Sequence, residues 1–207
     1  MSTWLIWVLV ATGFGAVAAR RPGVAALLVT SQTVLVGAGA IAMAMSPGRS
    51  MEFAVAAGLL ALKAVAVTAI VALVISRTRE ERPTAEESGL LTRLGAAASL
   101  VLVMLALVPG YGLDSAAAEK GATAILATGL ALVLVRRPTL FAVLAFLMAE
   151  NGIAVAAVSV SGALPLIVDL GIAFDLVLLI AVAAVFHSRI LDAFGTTDSS
   201  ALRGPRG

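Results

Sequence analysis

Lys63, Glu150, Asp169 and Asp175 each interrupt a long apolar run. The runs holding Glu150 and the two aspartates are roughly 23 residues each, and about 20 suffice to cross a bilayer as a helix. An acidic group at mid-bilayer costs on the order of 2.5 to 3.5 kcal/mol on insertion scales. Lys63 lies about 11 residues from either end of its run, about 16 Å at 1.5 Å per residue, too far for its side chain to reach the interface. Charges kept at that depth face polar cavities or one another, and the chemistry they offer is the uptake and release of protons or small cations. An ion pair with a movable proton would lower the cost of each member and give two states of similar energy. Lys63, Glu150 and Asp175 therefore read as one coupled set, with Asp169 nearby. Asn151 and His187 are supporting polar groups. Asn151, Thr68, Ser31, Gln32 and Thr33 read as hydrogen bonders between helices, and His187, beside Arg189, as an interfacial histidine.

The elements that must position these residues are membrane helices. The chain has 207 residues, 61% hydrophobic and 13% charged, with mean hydropathy +1.09, which is typical of a polytopic membrane protein. Apolar runs at 3–19, 23–45, 52–76, 94–108 and 116–135 precede the two between Arg136 and Arg189, giving seven spans. No basic segment precedes the first run and another span follows at once, so it reads as a retained helix and not a cleaved signal peptide. Pro47-Gly48 and Pro109-Gly110 punctuate the runs. The Gly37-Ala38-Gly39 stretch predicts close helix packing.

Arginine and lysine set the orientation. Arg20, Arg21, Arg77, Arg79, Arg82, Arg93, Arg136, Arg137, Arg189, Arg203 and Arg206 flank one side of a seven-span topology, while Arg49 and Lys120 flank the other. That bias predicts an inner-membrane protein with its N-terminus outside and its C-terminus in the cytoplasm. The net charge of only +2 gives no clustered basic face for nucleic acid. No cysteine is present, which excludes iron–sulfur and thiolate-zinc sites, and one histidine cannot build a haem or metal site alone. Any redox cofactor belongs to a partner. Arg20-Arg21-Pro22 and Arg136-Arg137-Pro138 each close one span and open the next, which predicts two three-helix units in parallel repeat joined by a linker helix. The expected organisation is an N-terminal unit at 1–76, a charged cytoplasmic loop at 77–93, a linker helix at 94–112, a C-terminal unit at 113–187 and a cytoplasmic tail at 188–207.

The stretch with Arg136-Arg137, Phe141 and Asn151 resembles the second helix of the small three-helix, K-type subunit of the complex I membrane arm. The helix holding Asp175 and ending at His187 resembles that subunit's third helix. A larger resemblance covers nearly the whole chain, to hydrogenase-4 component E, the long K-type relative in formate hydrogenlyase and related membrane-bound hydrogenases. Its marks are Lys63, Glu150-Asn151-Gly152, Pro165 through Asp169-Leu170-Gly171 to Phe174-Asp175, and Arg189-Ile190-Leu191-Asp192-Ala193-Phe194. The K-type glutamate falls about one turn before Glu150, at Leu147, so Glu150 takes its role by position on the same face. The resemblance implies an all-α integral membrane subunit with antiporter-like neighbours, the iron–sulfur and nickel–iron centres lying in partners. Its function would be proton or sodium translocation through a mid-membrane charged path, with no bond chemistry of its own. Two other readings stay open: a stand-alone secondary transporter, and a passive scaffold for antiporter-like subunits.

Overall fold

The computed structural model describes residues 1–46, 51, 53–55, 57–62, 64–65, 89–108, 110, 112–113, 115–136 and 139–159. Lys63, Asp169, Asp175 and His187 lie outside the described residues, as do the seventh expected span, the segment at 66–88 and the tail. The chain divides into two compact units, Met1–Asp169 and Leu170–Gly207, and every described residue falls in the first.

The regular elements among the described residues are all helices: α1 (Thr3–Ala18), α2 (Pro22–Ala44), α3 (Phe53–Leu62), α4 (Leu90–Leu107), α5 (Ala116–Val135) and α6 (Thr139–Val158). Their ends follow local chemistry. The Ser2 hydroxyl accepts from the Leu5 N–H and the Ser115 hydroxyl from the Ala118 N–H, each at 3.4 Å, so both helices begin on a serine cap. Pro22 opens α2, where its fixed φ suits a helix and its missing N–H costs nothing. Gly112 holds φ +70 in the turn before α5, a left-handed conformation that glycine adopts freely. The expected boundaries hold within a residue or so for α1 and α2, and α5 occupies the predicted 116–135. The fourth helix starts at Leu90 and not at 94, because Leu90 and Leu91 extend the apolar run past Arg93. Arg93 is thereby moved from the expected loop into a helix.

Four of the helices, α2, α4, α5 and α6, are long and apolar enough to cross a membrane, which makes this a multi-pass membrane protein by length and composition. At 1.5 Å per residue, the 20 residues of α5 span about 30 Å, the thickness of a hydrocarbon core. Helix α1 packs on α2, α2 on α6, α6 on α5 and α5 back on α1, so these four close a ring, with α4 lying against α5 and α1. The interior holds two apolar layers. One gathers Val17, Val29, Phe141, Leu144 and Met148, and the other Leu9, Val36, Ile125 and Val155. Close approach depends on small residues, as in membrane bundles generally. A Cβ on Gly129 would stand 2.9 Å from the Ala145 carbonyl oxygen, and one on Gly152 2.9 Å from that of Ala122, so α5 and α6 touch backbone to backbone. The predicted close packing at Gly37 and Gly39 is present: Gly37 faces Ala61 of α3, and Gly39 faces Leu5 and Met1. The outer surface is apolar, with Leu91, Leu102 and Leu107 of α4 exposed.

Candidate mid-membrane polar site

Halfway along α2, Gln32 points into the ring and is 1% exposed. Its Nε2 donates to the Leu9 carbonyl of α1 at 2.8 Å. A carbonyl can only accept, so this bond fixes which end of the Gln32 amide faces α1 and leaves Oε1 turned to α6. There Asn151, 4% exposed, donates from Nδ2 to Gln32 Oε1 at 3.0 Å and to Thr33 Oγ1 at 3.0 Å. The Thr33 hydroxyl in turn donates to the Val29 carbonyl at 3.1 Å. Every donor direction follows from the Leu9 carbonyl outward, and one connected network ties α1, α2 and α6. Thr12 adds a second side-chain donor to the Leu9 carbonyl at 2.8 Å. In a bundle whose helices cannot gain stability from water exclusion, such bonds average about 0.6 kcal/mol and reach about 1.7. None of these four groups titrates, so the network positions and does not carry charge.

The titratable group stands beside it. Glu150 follows Thr139 by eleven residues and precedes Val158 by eight, which places it about 16 Å and about 12 Å from the helix ends. It is half-buried, and its Oε1 is shielded from the exterior. The backbone carries it next to Asn151, so the amide network fixes the rotation of α6 about its axis and with it the side from which Glu150 projects. Of the residues singled out in the sequence, the structure brings Asn151, Gln32 and Thr33 into one network, and Glu150 precedes Asn151 in the same turn of α6. Ser31 bonds only within its own helix, to the Leu27 carbonyl at 2.8 Å. Lys63, Asp169, Asp175 and His187 belong to the undescribed stretches.

A second polar cluster escaped sequence reasoning. Ala19 ends α1, and its carbonyl is one of those a helix terminus leaves without an internal partner. Arg93, at 1% exposure the largest fully buried side chain described, donates to that oxygen from Nη1 at 3.4 Å. Arg136, which caps α5, donates to the same oxygen from Nη2, and its guanidinium lies 4.6 Å over the Phe141 ring. Two cations thus converge on the negative end of the α1 dipole. The available signal was the early start of α4: three residues into a helix, Arg93 is one turn from its end, and its guanidinium reaches the end of α1 while its stem lies along its neighbours.

Among the described residues no group of three or more His, Asp or Glu could hold a metal ion. No protein-family model, no curated protein and no solved structure matches the chain.

Proposed function

We propose that this chain is a membrane subunit of a complex I-related hydrogenase or respiratory complex, in which Glu150 belongs to a mid-membrane path for protons or sodium ions. The observation that carries the proposal is the depth of Glu150 in α6 beside a network that spans three helices. A carboxylate there is costly and is retained where it serves an ion. Lys63 and Asp175 would complete the path, with Asp169 close by, and antiporter-like neighbours would continue it.

The two-unit organisation proposed for the chain draws support from a longer repeat. Ala11-Thr12-Gly13 precedes Arg20-Arg21-Pro22 at the spacing at which Ala127-Thr128-Gly129 precedes Arg136-Arg137-Pro138. Both threonines donate to the carbonyl three residues back, Thr12 to Leu9 and Thr128 to Ile125, each at 2.8 Å. On this reading the polar network sits where the units meet, a common place for ion sites in repeat-built transporters.

The test is ion uptake by membrane vesicles carrying the assembled complex. Glu150→Gln is expected to lower coupled uptake at least tenfold while assembly, read by copurification, stays intact. Wild-type uptake in that variant would leave the scaffold reading in its place. Uptake by the purified chain alone in liposomes would point instead to a stand-alone transporter.

A further inference from the structure

Helices α1 and α5 run side by side, in the same direction and in one register. Near one end Gly121 faces the Ile6 side chain, farther along a Cβ on Gly13 would stand 2.8 Å from Thr128 Oγ1, and at the other end Arg136 donates to the Ala19 carbonyl. That register puts Lys120 level with Leu5. The wall the two helices share is short. Helix α1 has 16 residues, about 24 Å, and the 16 residues from Lys120 to Arg136 rise by the same amount. Helix α4, which lies against both, has 18 residues, about 27 Å. A hydrocarbon core is about 30 Å thick, and α2, with 23 residues, exceeds it at about 34 Å. The bundle therefore offers the bilayer one short side.

Aromatic side chains mark where that side stops. Trp4 and Trp7 are 76% and 48% exposed, and three residues apart on a helix they share its outward face. Helical side chains lean toward the N-terminus, so both rings lie at the level of the first turn of α1. Tryptophan collects at the boundary between headgroups and hydrocarbon, where one part of the ring is apolar and its N–H finds an acceptor. The exposed Lys120 stands close to the same height on α5. A lysine extends its amine well past its own Cα, whereas an indole sits at the boundary itself, so Trp4 and Trp7 decide its depth.

We propose that Trp4 and Trp7 seat the first turn of α1 at the headgroup boundary, and that the side formed by α1, α4 and α5 packs against phospholipids with short acyl chains. A short apolar stretch is matched by thinning of the bilayer around it, here by about 6 Å at α1. The consequence reaches the polar network: the Leu9 carbonyl, six residues beyond Thr3, lies only about 9 Å from that boundary. The short side depends on the membrane reading but not on the ion path, and Glu150→Gln does not touch it.

The full chain, with whatever subunits accompany it, is reconstituted into phosphatidylcholine vesicles. The fluorescence lost in Trp4→Phe with Trp7→Phe is the signal of these two rings, the only tryptophans of the chain. Lipid brominated near the carbonyl end of its acyl chains is expected to quench that signal about threefold more strongly than lipid brominated near the methyl end. In mixtures, dimyristoleoyl phosphatidylcholine should displace the brominated lipid about threefold better than the dioleoyl lipid, and the dierucoyl lipid worse than either. Trp4→Phe and Trp7→Phe made singly read one ring each if the double variant fails to fold. Stronger quenching from the methyl end puts the rings in the hydrocarbon core and overturns the seat. Absence of quenching by both lipids means that a partner subunit covers the tryptophans, and the lipid assignment falls. Equal displacement by all three lipids, or best displacement by the longest, overturns the short side.

Discussion

Asn151 shows how one buried amide commits its neighbours. Its Nδ2 serves both Gln32 Oε1 and Thr33 Oγ1, so Asn151→Leu strands a buried acceptor on α2. The expected cost is about 1 to 2 kcal/mol, read as a lowered melting temperature in detergent. Replacing Gln32 by Leu in the same chain removes the stranded acceptor, and the double variant should be less destabilised than the sum of the singles. Asn151→Asp should be worse than Asn151→Leu at neutral pH, because a carboxylate offers only acceptors to two acceptors. The residue types alone marked Gln32, Thr33 and Asn151 as bonders between helices. Their partners were not legible, since the bond from Asn151 to Gln32 joins positions 119 apart and depends on how α6 is rotated. Arg93 was illegible for another reason: as a basic residue beside other arginines it fits a cytoplasmic loop equally well, and only the start of α4 at Leu90 takes it inside.

At the scale of elements, α5 and α6 form the tightest pair. Gly129→Ala sets a methyl 2.9 Å from the Ala145 oxygen, and Gly152→Ala does the same at the Ala122 oxygen. Backbone cannot yield as a side-chain tip does, so each should cost about 1 to 3 kcal/mol. Gly95→Ala is the control: a Cβ there meets nothing within 4 Å, and the change should stabilise α4 by up to about 1 kcal/mol. Comparing the three melting curves checks both statements. The helices themselves were largely legible, because runs of about 20 apolar residues bounded by Pro, Gly and Arg leave little choice, and α5 ends where predicted. Which helix touches which was not. The sequence places small residues on α2, α5 and α6 alike, and only packing pairs Gly129 with Ala145 and Gly37 with Ala61.

Taken over all the described residues, Gln32, Thr33 and Asn151 turn inward while Leu91, Leu102 and Leu107 face outward, the arrangement a bilayer favours. Only 17% of the apolar window of α4 is buried, against 61% for α5, so α4 rides on the outside of the ring. Orientation is testable without removing any native thiol, since the chain has no cysteine. Single cysteines placed at 77–88 should react with membrane-impermeant reagents only after the membrane is opened, and a cysteine at Ser2 should react in intact cells. The reverse pattern would invert the proposed topology.

The two clamps on α1 also impose an order of assembly. The bond from Gln32 to Leu9 closes over 23 residues, but Ala19 waits 74 residues for Arg93 and 117 for Arg136. At roughly 5 to 20 residues per second of synthesis, the first hairpin sits in the membrane for on the order of ten seconds before its turn is secured. Throughout that time Gln32 holds its carbonyl oxygen in hydrocarbon with no donor from α6. Nascent chains arrested before Arg93 has emerged should therefore lose the Arg20-Arg21 turn to protease faster than chains long enough for both Arg93 and Arg136 to have reached the Ala19 carbonyl. On this timetable the first hairpin to enter the bilayer is among the last parts of the ring to become rigid.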